Sequence, residues 1–192
     1  MISRVAAGIA ACTLVLAPAP ESASAASHDA AALKDAVVRS IDEQRSVMTT
    51  MSDAIWAHAE IALAETESSA VLADYAEQQG FDVTRGVAGM PTAFIASYGE
   101  GEPVIGILGE FDALPRLSQT ATPERNPRIE GGNGHGCGHN LFGVASLAAA
   151  TAIKQQIEAG ELVGTIRYYG TPAEEAVGGK IYMAREGLFD DL

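Results

Sequence analysis

Between residues 29 and 58, Leu33, Val37, Ile41, Met48, Met51 and Ile55 recur at steps of three, four or seven. That spacing places them on one stripe of an α-helix. Met48 and Met51 read as filler for a core or an interface. A second helix is predicted from about Ser68 to Gln79, where Val71, Leu72, Tyr75 and Ala76 share a face and Gly80 can take the left-handed C′ position. Together the two form an N-terminal helical layer.

The pattern then changes to that of strands. Phe81 and Val83 open one; Phe94, Ala96 and Tyr98 alternate through another, before the turn-like run Gly99 to Pro103. Val104-Ile105-Gly106-Ile107-Leu108 is continuously apolar, the pattern of a strand covered on both faces in a central sheet. The polar, turn-rich stretch from Ser118 to Gly134 is long for a passive connection and is expected to form a loop over a site. A helix follows from Asn140 to about Glu158, capped by Asn140 and stopped by Gly160, and apolar enough from Leu141 to Ala152 to lie beneath the sheet. A strand from about Leu162 to Tyr169 and a short helix ending near Arg185 complete the order. Helix, helix, strands, helix, strand, helix predicts an α/β fold with a mixed sheet.

The first residues stand apart. Arg4, the apolar run Val5 to Leu16 and the small residues Ala23-Ser24-Ala25 form the pattern of a secretory signal peptide over 1–25, which predicts a secreted or periplasmic protein. The apolar run is too short to span a bilayer. Ile9-Ala10-Ala11-Cys12 also resembles a lipoprotein box, although the apolar run continues past Cys12. Residues 26–192 then form one domain in a chain that is 47% hydrophobic and 19% charged. Twelve basic against twenty-five acidic residues give a net charge of −13, a surface that repels nucleic-acid phosphates. The cysteines are Cys12 and Cys137; once Cys12 is cleaved away, Cys137 is a lone thiol, a liability in an oxidising compartment unless it is buried or coordinated to a metal.

Polar clusters fall at three predicted element boundaries. Glu110 and Asp112 follow the apolar strand, where side chains of an open α/β sheet reach its ligand-binding edge. His135, Cys137 and His139 alternate with glycines, and in an extended segment the period of two points all three to one side. Imidazole and thiolate suit zinc or a related transition ion; the same residues could form a catalytic Cys–His pair or a Gly-rich helix cap. Glu174 and Glu175 follow the last strand. One could ligate a metal while the other takes the proton of a bound water, or both could form the acidic first turn of a helix opening after Pro172. Of Glu110 and Asp112, one is expected to face the site, where a carboxylate behind a ligating imidazole fixes its tautomer, or to cap the turn before Leu114-Pro115. His28 and His58 have no such company. No GxGxxG or Walker pattern is present to support nucleotide binding.

The stretches GMPTAFIASYG at 89–99, GILGEFDALPRLSQ at 106–119, GHGCGHNLFG at 134–143 and TPAEEAVGGKIYMAREGLFDDL at 171–192 resemble the M20 metallopeptidase and amidohydrolase family. Within it they are similar to the N-acyl-amino-acid amidohydrolase branch, in particular the group formed by the B subunits of p-aminobenzoyl-glutamate hydrolases. The resemblance implies a zinc-exopeptidase-like catalytic domain of α/β class. It implies hydrolysis of the amide bond between an acyl or aroyl group and an amino acid, often glutamate, at a site of one or two divalent metal ions, Zn or Mn. By analogy Cys137, His139 and Glu175 are metal ligands and Glu174 is the general base. Glu110 matches a position where many relatives have aspartate, and Asp112 matches the aspartate of their DALP motif. The implied partner is a small N-acyl amino acid, with no nucleic acid or membrane span and with homo- or hetero-oligomeric full-length proteins.

Members of the family also continue well past the region matching Leu192, with a further histidine ligand, an inserted dimerisation domain and a late histidine. On that basis residues 26–192 are expected to be the N-terminal portion of an incomplete catalytic domain, inactive or nearly so alone. Two other readings stay open: a non-catalytic metal-binding secreted fragment, and a thiol hydrolase using Cys137 with His135 or His139.

Overall fold

The computed structural model describes residues 30–192. The predicted signal peptide, Cys12 and His28 lie outside the described residues.

Helix α1 (Ala30–His58) and helix α2 (Thr66–Gln78) form the N-terminal layer. Met48, Met51 and Ile55 of α1 are buried as the spacing predicts. Nearer its start the buried positions are Ser40 and Gln44, while Ile41 is exposed and Leu33 and Val37 are half-buried. A polar network explains the substitution. Tyr75 Oη donates to Gln44 Oε1, Gln44 Nε2 to Ser40 Oγ, and Ser40 Oγ to Gln155 Oε1, tying α1 to α2 and to the later helix that carries Gln155. Gly80 ends α2 in the left-handed conformation, and Phe81 N–H closes back on Ala76 O. The start of α2 is capped from a distance: Glu60 accepts the N–H groups of Glu67 and Ser68 and the Ser68 hydroxyl.

Four strands form one mixed sheet: β1 (Asp82–Arg85), β2 (Phe94–Glu100), β3 (Val104–Gly109) and β4 (Gly164–Gly170), in the order β1-β2-β4-β3. The pairs β1–β2 and β2–β4 are antiparallel, whereas β3–β4 is parallel with Gly109 opposite Gly170. This register brings the carboxyl ends of β3 and β4 side by side. The apolar strand β3 is therefore not central. Among the described residues it is an edge strand, and Ile105 and Leu108 are exposed. The central place is taken by β4, whose Ile166, Tyr168 and Tyr169 are buried. A continuous apolar run is common to parallel strands in either place, so the run itself could not distinguish them.

Helix α3 (His139–Glu158) packs beneath β3 and β4 and against α1, closing a core that includes Leu72, Phe94, Phe111, Leu147 and Tyr168. The opposite face carries a smaller cluster of Met90, Ala93, Tyr169 and Met183, covered in part by Leu188 and Phe189 after helix α4 (Gly179–Arg185). The approach of α3 to the sheet is close. A Cβ on Gly143 would stand 2.6 Å from the Glu110 carbonyl oxygen, and the Gly143 carbonyl accepts the buried Tyr168 hydroxyl. The start of α3 is thereby pressed against the end of β3.

Two boundaries differ from the sequence pattern. Helix α3 is preceded by Gly138 (φ 92°) as its cap, and Asn140 lies inside the first turn, its amide donating to Ser52 Oγ of α1. Glu174 and Glu175 are not the first turn of a helix: residues 174–177 form a turn, and α4 begins after Gly178. The pattern of α4 does not extend back to Pro172 because the backbone enters the left-handed region at Ala173 (φ 61°) and Gly178 (φ 72°).

Candidate metal centre

Three segments meet where β3 and β4 end. Glu110, Phe111 and Asp112 leave β3; Cys137 and His139 enter α3; Glu174 and Glu175 follow β4. The segment between, from Ser118 to Gly134, folds on itself through Ser118 N–H to Gly132 O and Thr120 N–H to Asn126 O, while Leu114 pairs with Gly134 near its base. Its two ends, rather than its tip, deliver the site residues.

His139 is the hub. Its side chain is nearly fully buried, and Nδ1 lies 2.9 Å from Asp112 Oδ1, while Nε2 lies 2.9 Å from Glu110 Oε2. Glu174 and Glu175 approach the ring to 3.8 Å at Nε2 and Nδ1 respectively. Asp112 is buried between two donors, because its other oxygen, Oδ2, accepts the Glu175 N–H at 2.9 Å. Glu110 in turn meets Lys180 of α4 through Oε1.

The charges respond to this crowding. Burial pushes the His139 imidazole pKa down, but the Asp112 hydrogen bond and the negative charges of Asp112, Glu110 and Glu175 prevail and raise it. For Asp112, burial pushes up, and the bonds to His139 and to the Glu175 N–H outweigh it and hold the carboxyl below its ordinary range. Loss of solvent and the carboxylates of Glu175, Glu174 and Glu110 all push the Cys137 thiol up. A nucleophilic cysteine needs the opposite shift, which weighs against a covalent thiol mechanism.

Donor atoms of Cys137, His139 and Glu175 all lie within 4.8 Å of one another, and so do those of Glu110, His139 and Glu174. Glu175 Oε1 is buried with no hydrogen-bond partner among the described residues. A buried anionic oxygen without a donor is costly; beside an imidazole and a thiol it is the arrangement that a divalent cation would satisfy. The residues present therefore fit a metal ion, with thiolate, imidazole and carboxylate donors suited to zinc or a related ion.

All six singled-out side chains, Glu110, Asp112, Cys137, His139, Glu174 and Glu175, are thus gathered at one sheet edge. His135 is not among the clustered donors. The chain bends at Gly136 and Cys137, so the period of two is broken and the three side chains do not share one side. His135 Nε2 is instead 3.1 Å from the Ile55 carbonyl oxygen of α1, to which it must donate, and burial lowers its pKa. Lys180 was not legible as a site residue, and neither was the buried Glu65, which reaches the backbone beside Glu174.

A mixed sheet with acidic, imidazole and thiol side chains converging at the carboxyl ends of its parallel pair forms a candidate metal centre at the edge of an α/β sheet. Residues 106–192 match the family model described as Peptidase family M20/M25/M40, the family that the motifs resemble. It is 49% identical over 153 residues to the B subunit of p-aminobenzoyl-glutamate hydrolase from Escherichia coli (strain K12), covering 79% of this chain and 32% of that protein. It is 31% identical over 172 residues to the Xaa-Arg dipeptidase of Mus musculus, covering 83% and 36%. Among solved structures it is similar to a dinuclear metal binding peptidase of the M20 family from Bacillus subtilis, with a TM-score of 0.65 and 26% identity over 83% of this chain and 41% of that one. The chain spans about a third of the length of the curated relatives it matches.

Proposed function

We propose that this chain carries the cation-holding part of a metal-dependent amidohydrolase that cleaves the amide bond of N-acyl or N-aroyl amino acids, with a p-aminobenzoyl-glutamate-like compound as the leading substrate. The observation that carries this reading is the approach of Cys137, His139 and Glu175 donors to within 4.8 Å around an unpartnered, buried carboxylate oxygen. The kinship to part of a p-aminobenzoyl-glutamate hydrolase and to an Xaa-Arg dipeptidase supports an amide as the scissile bond.

Cys137, His139 and Glu175 would hold the ion. A bound divalent cation would supply Lewis acidity and lower the pKa of its own water to about 7. The protein's own part is proton handling and orientation. Asp112 fixes the His139 ring through Nδ1 and the Glu175 backbone through its N–H. Glu174, the more exposed glutamate of the pair, lies on the Nε2 side of the ring. Its carboxylate takes the proton of the attacking water and returns it to the nitrogen of the leaving amine as the C–N bond breaks. Glu110 is held by Lys180 at the rim.

The second donor set, Glu110, His139 and Glu174, shares His139 with the first. The described residues therefore supply one full set of three donors and not two independent ones. We read the 192-residue chain as able to hold one cation while turning over amides slowly or not at all by itself, with a homo- or heteromeric oligomer as the working enzyme. The apolar leader adds export to the periplasm or beyond; among the described residues no helix is long and apolar enough to cross a membrane. Metal titration of the purified chain tests the reading: one equivalent of Zn²⁺ or Co²⁺ bound through Cys137 supports it, and no binding overturns it. Chelator-resistant hydrolysis would favour the thiol mechanism instead.

A further inference from the structure

We propose that Glu65 is a positioning residue for this centre, holding the turn that carries Glu174 and Glu175. Glu65 lies between α1 and α2, far in sequence from the site, and its side chain is fully buried. No arginine, lysine or histidine pairs with it among the described residues. Its oxygens are instead spent on neutral donors: Oε1 accepts the Ala173 N–H at 2.8 Å, Oε2 accepts the Thr92 hydroxyl at 3.1 Å, and the backbone of Leu63 and Glu65 contributes as well. Burying a carboxylate without a cation is expensive, and burial does push the Glu65 pKa up, against its hydrogen bonds. Such a group persists where its acceptor oxygens fix backbone that an apolar side chain would leave unheld.

What it fixes is the pivot of the glutamate turn. Ala173 is buried, stands immediately before Glu174, and sits in the left-handed region at φ 61°, a conformation that a non-glycine residue adopts only where its surroundings hold it there. Its N–H is held by Glu65, and its carbonyl accepts the N–H groups of Val177, Gly178 and Gly179 at the far end of the same turn. Both ends of the turn therefore refer to a residue whose position Glu65 sets. The same connection braces the other side of the site: the Glu60 carbonyl accepts the Ala113 N–H at 2.7 Å, and Ile61 pairs with Ala113, next to Asp112. One short segment, 59–65, thus links the turn bearing Glu174 and Glu175 to the stretch bearing Asp112.

This inference rests on the reading of Cys137, His139 and Glu175 as cation donors, so its test compares the geometry at a bound ion with stability. The probe is Co²⁺ added to the full 192-residue chain, read by titration and by the absorption bands of the bound ion, alongside thermal melts. Glu65→Ala is expected to lower Co²⁺ affinity roughly tenfold or more and to change the ligand-field bands at saturation, while Glu65→Gln, which keeps an acceptor oxygen for Ala173 N–H, restores most of both. Glu60→Ala is the control: it removes the cap of α2 from the same connection and is expected to lower stability with the bands unchanged. Should Glu65→Ala not fold, Glu65→Asp decides, since its shorter reach leaves Ala173 unheld and is expected to weaken and shift the signal. Wild-type affinity and bands in the folded Glu65→Ala or Glu65→Asp chain would make Glu65 a structural clamp only and overturn the proposal. Absence of Co²⁺ binding by the unmutated chain would overturn the metal reading itself, and this inference with it.

Discussion

Asp112 holds His139 twice: Nδ1 of the imidazole lies 2.9 Å from the Asp112 side-chain oxygen Oδ1 and 3.1 Å from the Asp112 backbone carbonyl oxygen. Two acceptors at one ring nitrogen fix the proton there and leave Nε2 as the nitrogen that can offer a lone pair. The second side-chain oxygen of Asp112 accepts the Glu175 N–H, so one buried carboxylate orients both an imidazole and a carboxylate donor.

Asp112→Asn follows directly. An amide has one acceptor oxygen, so it cannot accept from both His139 Nδ1–H and Glu175 N–H, and its NH₂ must face one of those donors. Cation affinity is expected to fall by about 10- to 100-fold and stability by about 1–3 kcal/mol. Competition titration with a chromophoric chelator and a thermal melt measure the two. Unchanged affinity in a folded variant would remove Asp112 from the account.

The pH dependence has a definite sign. The His139 pKa is raised above its ordinary value of 6.5, so the stability it gives the cation-free chain is fully present below that value and is lost as pH rises through the folded pKa. The Asp112 pKa is lowered from 3.8, so its contribution is present above that value and is lost as pH falls through the folded pKa. With chelator present, these two contributions overlap in the mildly acidic window between, while His135, whose pKa burial lowers, loses its own contribution as pH falls below 6.5. Cation binding must displace protons from His139 and Cys137, both raised, so affinity is expected to climb with pH. In a folded His135→Gln chain, which removes that opposing titration, melts in chelator that show stability rising from about pH 6 to about pH 8 would contradict the assignment.

Glu174→Gln separates holding a cation from using it. The amide keeps size and polarity but cannot take a proton. Cation stoichiometry is expected to be unchanged, and amide turnover, in whichever form of the protein shows it, to fall by about 10²- to 10⁴-fold. A variant that hydrolyses at the original rate would place the base elsewhere.

Gly143→Ala tests the packing that sets α3 under the site. The new Cβ would meet the Glu110 carbonyl at 2.6 Å, and backbone on both sides leaves little room to yield. A loss of about 1–3 kcal/mol is expected in a denaturant or thermal melt, together with weaker cation binding as His139 shifts. Neutral behaviour would show that α3 can move without cost.

Local pattern made much of this structure legible. The extent of α1, the glycine stops of α2 and α3, and the strand alternation at Phe94, Ala96 and Tyr98 all depend on neighbours a few residues away, and all appear in the fold. Failures came where distant partners decide. Ser40 and Gln44 replace apolar residues on the buried face of α1 because Tyr75 and Gln155 reach them. Asn140 donates across to Ser52 instead of capping its own helix, and β3 takes the edge because β4 inserts between it and β2. At the site, the residues carrying a short motif stood out in the sequence, while Lys180 and Glu65 did not: their partners lie 70 and 108 positions away. Whether His135 would join Cys137 and His139 turned on one bend at the glycines, which a strict period of two cannot foresee.

The central claim is that Cys137, His139 and Glu175 hold a single cation together. The most direct measurement is Co²⁺ titration of the chain followed by absorption, with Cys137→Ser alongside. One equivalent is expected to bind per chain, with a thiolate-to-cobalt charge-transfer band that the Cys137→Ser variant loses. A folded chain that binds no Co²⁺, or binds it with the same spectrum when Cys137 is replaced, would contradict the claim.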